Sequence, residues 1–459
     1  MPACRFLADG AGGVGIPVTP LNGPALTGFL ERSPADAAWV GTVGFSAAPG
    51  TFCLVPTADG GIGRVLFGVG DEPMWDWAKL PGSLPPAIYR VDSALSGDEA
   101  DAICLGWALG TYRFDRYGKA IASFASLAWP EEARRGAVDR TANAIFLVRD
   151  LINTPASDMG PAELANAVAA AGQRFGARCA VIEGDEVLAR GYPAIHAVGR
   201  ASARPPRLID LVWGEEDAPK VTLCGKGVCF DSGGLDIKGA GAMKLMKKDM
   251  GGAAILTGLA QMIMDEGLPV RLRLLIPAVE NSISGDALRP LDVIRSRSGR
   301  TIEIGNTDAE GRVILADALT EAASEHPDIL IDCATLTGAA RVALGTELPA
   351  LFCNDDRLAG QLLAAGLRVG DPLWRLPLWP GYRRHVRGKV ADLTNAPDHA
   401  FAGAITAALF LAEFVDPVCP WVHIDAMAWN LDSRSGRPEG GEAMALRALH
   451  ATLASRFSR

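Results

Sequence analysis

The chain has 459 residues, 49% of them apolar and 21% charged, with a net charge of −9 at pH 7. That length exceeds what one hydrophobic core usually supports, so it predicts two domains, and the composition excludes a disordered chain. The acidic balance argues against a general nucleic-acid surface.

The opening stretch MPACRFLADGAGGVGIPVTP lacks an apolar core of signal-peptide length. Residues 1–125 carry short apolar runs (AAWVGTVGF, TFCLVP, GRVLFGVG) punctuated by Gly and Pro, then a helix-like stretch around 97–110. This predicts a smaller N-terminal α/β domain. Residues 126–155 are predicted as a connecting helix. Within EEARRGAVDRTANAIFLVRDLIN, Ala144, Ile145, Val148, Leu151 and Ile152 line one side, and Pro155 and Pro161 end the pattern.

From 156 to 459 strand-like runs (RLIDLVWG, KVTLCGKGVCF, VRLRLLIPAVEN, RTIEIGN, ILIDCATLTG, ALFCND, WVHIDAMAW) alternate with helix-like ones such as AAILTGLAQMIMDEG and RVILADALTEAASEH. The alternation predicts a larger C-terminal catalytic domain with a mostly parallel central sheet flanked by helices. In such sheets, sites form outside the carboxyl ends of the strands, which is where GKGVCFDSGG, NTDAEGR and ATLTGAA fall. The longest uncharged stretch towards the C-terminal end, Ala400–Ala412, has 13 residues, too few to span a bilayer. A cytoplasmic protein without membrane contact is expected. Nine cysteines without CxxC or CxxH spacing read as buried free thiols, so a bound metal would be held mostly by carboxylates.

Two stretches stand out. In NTDAEGR, residues 306–312, an extended backbone would put Asp308, Glu310 and Arg312 on one face. Neighbouring carboxylates raise each other's pKa unless positive charge lies between them, and Arg312 or a divalent cation would supply it. The plain alternative is a solvated loop with an incidental salt bridge. The second stretch, GKGVCFDSGGLDIKGAGAMKLMKKDMGGAA at 225–254, sets Lys226, Asp231, Lys238 and Asp249 among glycines that let a backbone bend around a site. Each has a plain reading too: Asp249 as a helix N-cap, Lys226 as a lysine snorkelling from a strand end, Lys238 on the surface. The GxxxxGK[ST] pattern of a phosphate loop is absent. Together the two stretches bring four carboxylates, two lysines and an arginine to sheet-end loops. Hard divalent ions favour such oxygen ligands, and two ions can share bridging carboxylates.

Together these stretches resemble the leucine aminopeptidase (cytosol aminopeptidase) family of two-metal enzymes. NTDAEGR is intact, and Lys226, Asp231 with DSGG, Lys238 and DMGGAA at Asp249 follow without gaps. ATLTGA at 334–339, AGAITAA at 402–408 and WVHIDAMAW at 421–429 look like later segments, so the similarity spans about 145–459. The resemblance implies that Lys226, Asp231, Asp249, Asp308 and Glu310 bind two divalent ions, with Asp231 and Glu310 bridging. The ions would be Mn²⁺ or Zn²⁺, with Mg²⁺ or Co²⁺ as alternatives. It implies that Lys238 polarises the substrate carbonyl and that Arg312 holds a bicarbonate serving as general base for a metal-bridged water. Met246, Thr335 and Leu336 would face the first side chain, favouring leucine and similar apolar residues, and Asn306 would support its loop. The implied activity is release of N-terminal residues from short peptides with a free N-terminus and from amino-acid amides, by a homohexamer. The segment at Leu235 and Asp236 departs from relatives. Two other readings use the same residues: a non-catalytic binding or regulatory protein on this scaffold, and a metal-dependent phosphoesterase.

Overall fold

The computed structural model describes residues 3–9, 14–118 and 123–458. The chain divides into two compact units, Met1–Phe146 with Asp432–Glu439, and Leu147–Leu431 with Gly440–Arg459. In the first unit, strands Leu7–Ala8, Ser126–Ala128, Ile88–Val91, Ile16–Leu21, Ile62–Gly68 and Phe52–Pro56 lie side by side in that order. Only the last pair is antiparallel. Helix Gly97–Gly110 covers this sheet and starts where the sequence supplies a capping box. The Ser96 N–H donates to Glu99 Oε2 at 2.8 Å, and the Glu99 N–H donates to Ser96 Oγ at 3.3 Å. Val18, Phe67, Trp77, Tyr89 and Trp107 fill the core.

One helix, Arg135–Asn153, carries the chain from the first unit into the second. Its apolar side, Ala144, Ile145, Val148, Leu151 and Ile152, is buried.

The second unit is built on a nine-stranded sheet. Its strands run in the order Trp374–Arg375, Ala350–Cys353, Trp421–Asp425, Ile329–Ala334, Lys220–Gly225, Arg271–Asn281, Arg207–Trp213 and Arg178–Glu183, and Gly227–Asp231 pairs alongside Arg271–Asn281. The central ladders are parallel, and three antiparallel pairings lie towards the edges. Helix Gly251–Glu266 is buried from Gly251 to Met264, which explains why its sequence is apolar all round rather than striped. On the other face, helix Glu310–Ala323 packs into the main hydrophobic cluster through Val313, Ile314, Leu315 and Leu319. Within the sheet, Asp332 is fully buried; its Oδ1 lies 2.5 Å from His423 Nδ1 on the next strand, and its Oδ2 accepts from Trp421 Nε1 at 2.7 Å. All nine cysteines are free, and only Cys179, on the edge strand Arg178–Glu183, is not fully buried. Among the described residues, no helix is long and apolar enough to cross a membrane.

Candidate active site

The central parallel strands deliver the motif residues to one end of the sheet. Lys226 follows strand Lys220–Gly225, and Asp231 ends strand Gly227–Asp231, in register with Asn281 at the end of the long neighbouring strand. The Lys226 N–H donates to Cys333 O at 3.0 Å, and its carbonyl accepts from Ala253 N at 2.9 Å. That pins the lysine between strand Ile329–Ala334 and helix Gly251–Glu266. Asp249 lies in the 3-10 turn Met246–Met250 just before this helix and does not cap it. In the DSGG turn, Gly233 takes φ +89°, a conformation that side chains rarely adopt, and its N–H donates to Asp231 Oδ1 at 2.9 Å.

The NTDAEGR stretch is not extended. Thr307–Ala309 forms a 3-10 turn, and Glu310 opens helix Glu310–Ala323. The turn is set by side chains. Asn306 Oδ1 accepts from Asp308 N at 2.7 Å, and Asp236 Oδ2 accepts from Thr307 N at 2.7 Å. The extended backbone expected for this stretch is therefore absent, yet Asp308 and Glu310 still turn oxygens to one place, within 4.8 Å of each other and of Asp231. Arg312 instead donates from Nη1 to Asn395 O at 2.6 Å, while its Nε is buried without a hydrogen-bond partner. Lysines provide the charge between the acids. Lys226 Nζ lies 2.7 Å from Asp249 Oδ2 and 3.0 Å from Glu310 Oε1. Lys238 Nζ lies 2.8 Å from Asp231 Oδ2 and also pairs with Asp308.

Asp231, Asp308 and Glu310 each offer an oxygen, all within 4.8 Å of one another, and Asp249 joins Glu310 through Lys226. Burial pushes the Glu310 carboxyl up to about 8, with Asp231 adding to the rise and Lys226 opposing it. Burial, then Asp231, likewise pushes Asp308 up to about 6. Burial alone would lower the pKa of Lys226, but Asp249 and Glu310 reverse the sign and hold it raised. Burial lowers Arg312 to about 10. Asp249 Oδ2 and Asp308 Oδ1 accept no hydrogen bond, so lysine charge is all that offsets them. A compact set of carboxylate oxygens at odds with burial fits divalent cations.

The Thr335 hydroxyl donates to Asp249 Oδ1 at 2.7 Å and so fixes that carboxylate. Met246 is buried in the turn that carries Asp249, and Leu336 packs partly against the main hydrophobic cluster. Four contributors escaped the sequence reading. Asn281 donates from Nδ2 to Asp231 Oδ1 at 2.9 Å and to Thr307 O at 3.1 Å, tying the two motif loops together. Its position at the end of a long apolar strand was the available signal. Thr307 and Asp236 brace each other, with the Asp236 N–H donating to Thr307 Oγ1 at 2.8 Å. Asn395 receives the Arg312 hydrogen bond and donates to Asn306 O at 2.7 Å, and no local pattern marks it.

Residues 146–450 match the catalytic domain of the cytosol aminopeptidase family, and residues 16–130 match the M17 aminopeptidase N-terminal domain. The chain belongs to the cytosol aminopeptidase family. It is an aminopeptidase, an enzyme that releases N-terminal residues. It is 43% identical over 366 residues to a probable cytosol aminopeptidase of Syntrophotalea carbinolica, covering 75% of this chain and 72% of that one. The crystal structure of the cytosol aminopeptidase from Coxiella burnetii matches with a TM-score of 0.96 and 51% identity over 99% of both chains. The bottromycin maturation enzyme BotP in complex with Mn matches with a TM-score of 0.86 and 38% identity, covering 96% of this chain and 99% of that one.

Proposed function

We propose that this aminopeptidase is metal-dependent and releases leucine and similar apolar residues from short peptides and amino-acid amides. The observation that carries this reading is the convergence of Asp231, Asp308 and Glu310 within 4.8 Å, with Asp249 linked to Glu310 through Lys226. Asp231, Asp249, Asp308 and Glu310, with Lys226 as the neutral amine it becomes when a bound metal displaces its proton, would hold two divalent ions. Mn²⁺ and Zn²⁺ are the leading candidates, and Mg²⁺ or Co²⁺ would also suit an oxygen-rich set. When bound, the pair would act as a Lewis acid on the scissile carbonyl and acidify the attacking water between them.

The chain's own residues do the rest. The Lys238 ammonium stands beside Asp231 and is more accessible than Lys226. It would meet the carbonyl oxygen as negative charge develops there, which is where a fixed cation lowers the barrier. Arg312, buried with an unused Nε, would hold a bicarbonate as proton acceptor. Thr335 keeps Asp249 aimed through its hydrogen bond. Met246, Thr335 and Leu336 would form the wall for the first side chain. A homohexamer and a cytoplasmic location are proposed on family analogy. The test is direct: purified protein with Mn²⁺ should hydrolyse a leucyl amide, and exhaustive chelation should abolish turnover. Turnover that survives removal of all metal would overturn the reading.

A further inference from the structure

The second unit also holds a small three-stranded sheet. Its middle strand, Thr301–Glu303, pairs antiparallel with Val293–Arg295 and parallel with Leu393–Thr394. The two parallel strands leave for the reaction centre together, one running on into residues 305–312 and the other into Asn395. The Asn395 N–H donates to Glu303 O at 3.1 Å, its Oδ1 accepts from Gly305 N at 2.8 Å, and its carbonyl accepts from Arg312 Nη1 at 2.6 Å. The turn that carries Asp308 and Glu310 thus hangs from the carboxyl ends of these two strands.

At their other end lies a cleft of about 710 Å³, the size of a small-molecule site, lined by Arg300, Arg383, Arg387, Asp392 and Glu413. The strands start at its wall, since Arg300 immediately precedes Thr301 and Asp392 immediately precedes Leu393. Both acids are engaged already. Glu413, at the C-cap of helix Gly403–Ala412, gives one oxygen to Arg300 at 2.5 Å and the other to Arg383 at 2.9 Å. Asp392 Oδ2 accepts from the Thr301 N–H and from its hydroxyl, each at 2.8 Å. The Arg387 side chain has no hydrogen bond or ion pair among the described residues. Three guanidiniums therefore face one cleft against two occupied carboxylates. Each offers five N–H donors in a planar fork that matches a phosphate, so donors are left over for an incoming anion. No aromatic ring lines the cleft, so a nucleobase would find nothing to stack on.

We propose that this cleft is an effector site for a small phosphate-class oxyanion, held by Arg387 together with Arg300 and Arg383. The anion is either inorganic phosphate or the phosphate of a small monoester. Bound there, it ties the start of one strand to the start of the other and so steadies Asn395 and the turn at 306–312. The cleft lies apart from the carboxylate cluster, and the assignment stands or falls independently of which ions that cluster holds.

The experiment titrates inorganic phosphate, glycerol 3-phosphate and glycerol into Mn²⁺-loaded enzyme freed of excess ion, at constant ionic strength, in a calorimeter. At least one of the two phosphates should bind and glycerol should not. Affinity should fall about tenfold or more in Arg387→Gln and in Arg383→Gln. Both side chains are exposed, and thermal melts report that the variants fold. Tighter binding of the ester assigns the cleft to monoesters, and tighter binding of inorganic phosphate assigns it to the free ion; either supports the site. Equal affinity in the wild type and both variants would put the anion at the metals or at Arg312 and overturn the proposal, as would no binding of either phosphate. Hydrogen exchange reads the coupling. Saturating anion should slow exchange in peptides covering 303–312 and 393–397 of the wild type but not of Arg387→Gln. Binding that leaves this exchange unchanged overturns the effector role.

Discussion

A methyl group on Gly311 would stand 2.3 Å from Lys226 Cε and 2.6 Å from its Nζ. The lysine can cross the first turn of helix Glu310–Ala323 only because nothing projects there. Gly311→Ala should therefore push Lys226 off Asp249 and Glu310 and cost about 1–3 kcal/mol in stability. Chemical unfolding measures the cost, and metal content after dialysis reports whether the ligand set survives. Lys238 plays a different part, since it is the cation placed to face developing charge. Lys238→Met should lower kcat by about 10²–10³-fold while metal content stays at the wild-type level. Loss of bound metal in that variant would move Lys238 from the chemistry to the ligand scaffold.

At the scale of elements, strands Ile329–Ala334 and Trp421–Asp425 are joined by the buried Asp332–His423 pair as well as by their ladder. Burial disfavours the imidazolium, but Asp332 outweighs burial, so the pKa of His423 is raised. The stabilisation from this pair is complete below the unfolded value of about 6.5 and is lost as pH rises through the folded value. His423→Gln should thus destabilise by about 3 kcal/mol near pH 6 and by less near pH 9; equal losses in denaturant titrations at both pH values would exclude the ion pair. Element alternation made the parallel sheet legible, because strand and helix periods differ and Pro and Gly mark the breaks. The ligand candidates were legible for another reason: acids and lysines at strand ends are conspicuous among apolar runs. The backbone of 306–312 was not legible. Its turn depends on Asp236, about seventy residues away in sequence, and no local propensity reports such a partner. Asn281 and Asn395 were missed on the same ground, for each acts through contacts that exist only after the loops meet.

For the whole molecule, metal and fold should be linked. Ions that bind the folded chain at about 100 times their Kd add about 2.7 kcal/mol of stability per site. Thermal melts with and without Mn²⁺ check this, and an unchanged midpoint would argue against preformed sites. Light scattering tests the hexamer, with a mass six times that of the chain expected. The thiols give the molecule a practical trait. Eight of the nine cysteines are buried, and Cys179 alone is partly accessible, on the last strand of the catalytic sheet. Three strand spacings, about 14 Å, separate that strand from the one that leads into Lys226. A maleimide dye would therefore attach at a single address without engineering, giving a fluorescent reporter whose installation leaves the reaction centre untouched.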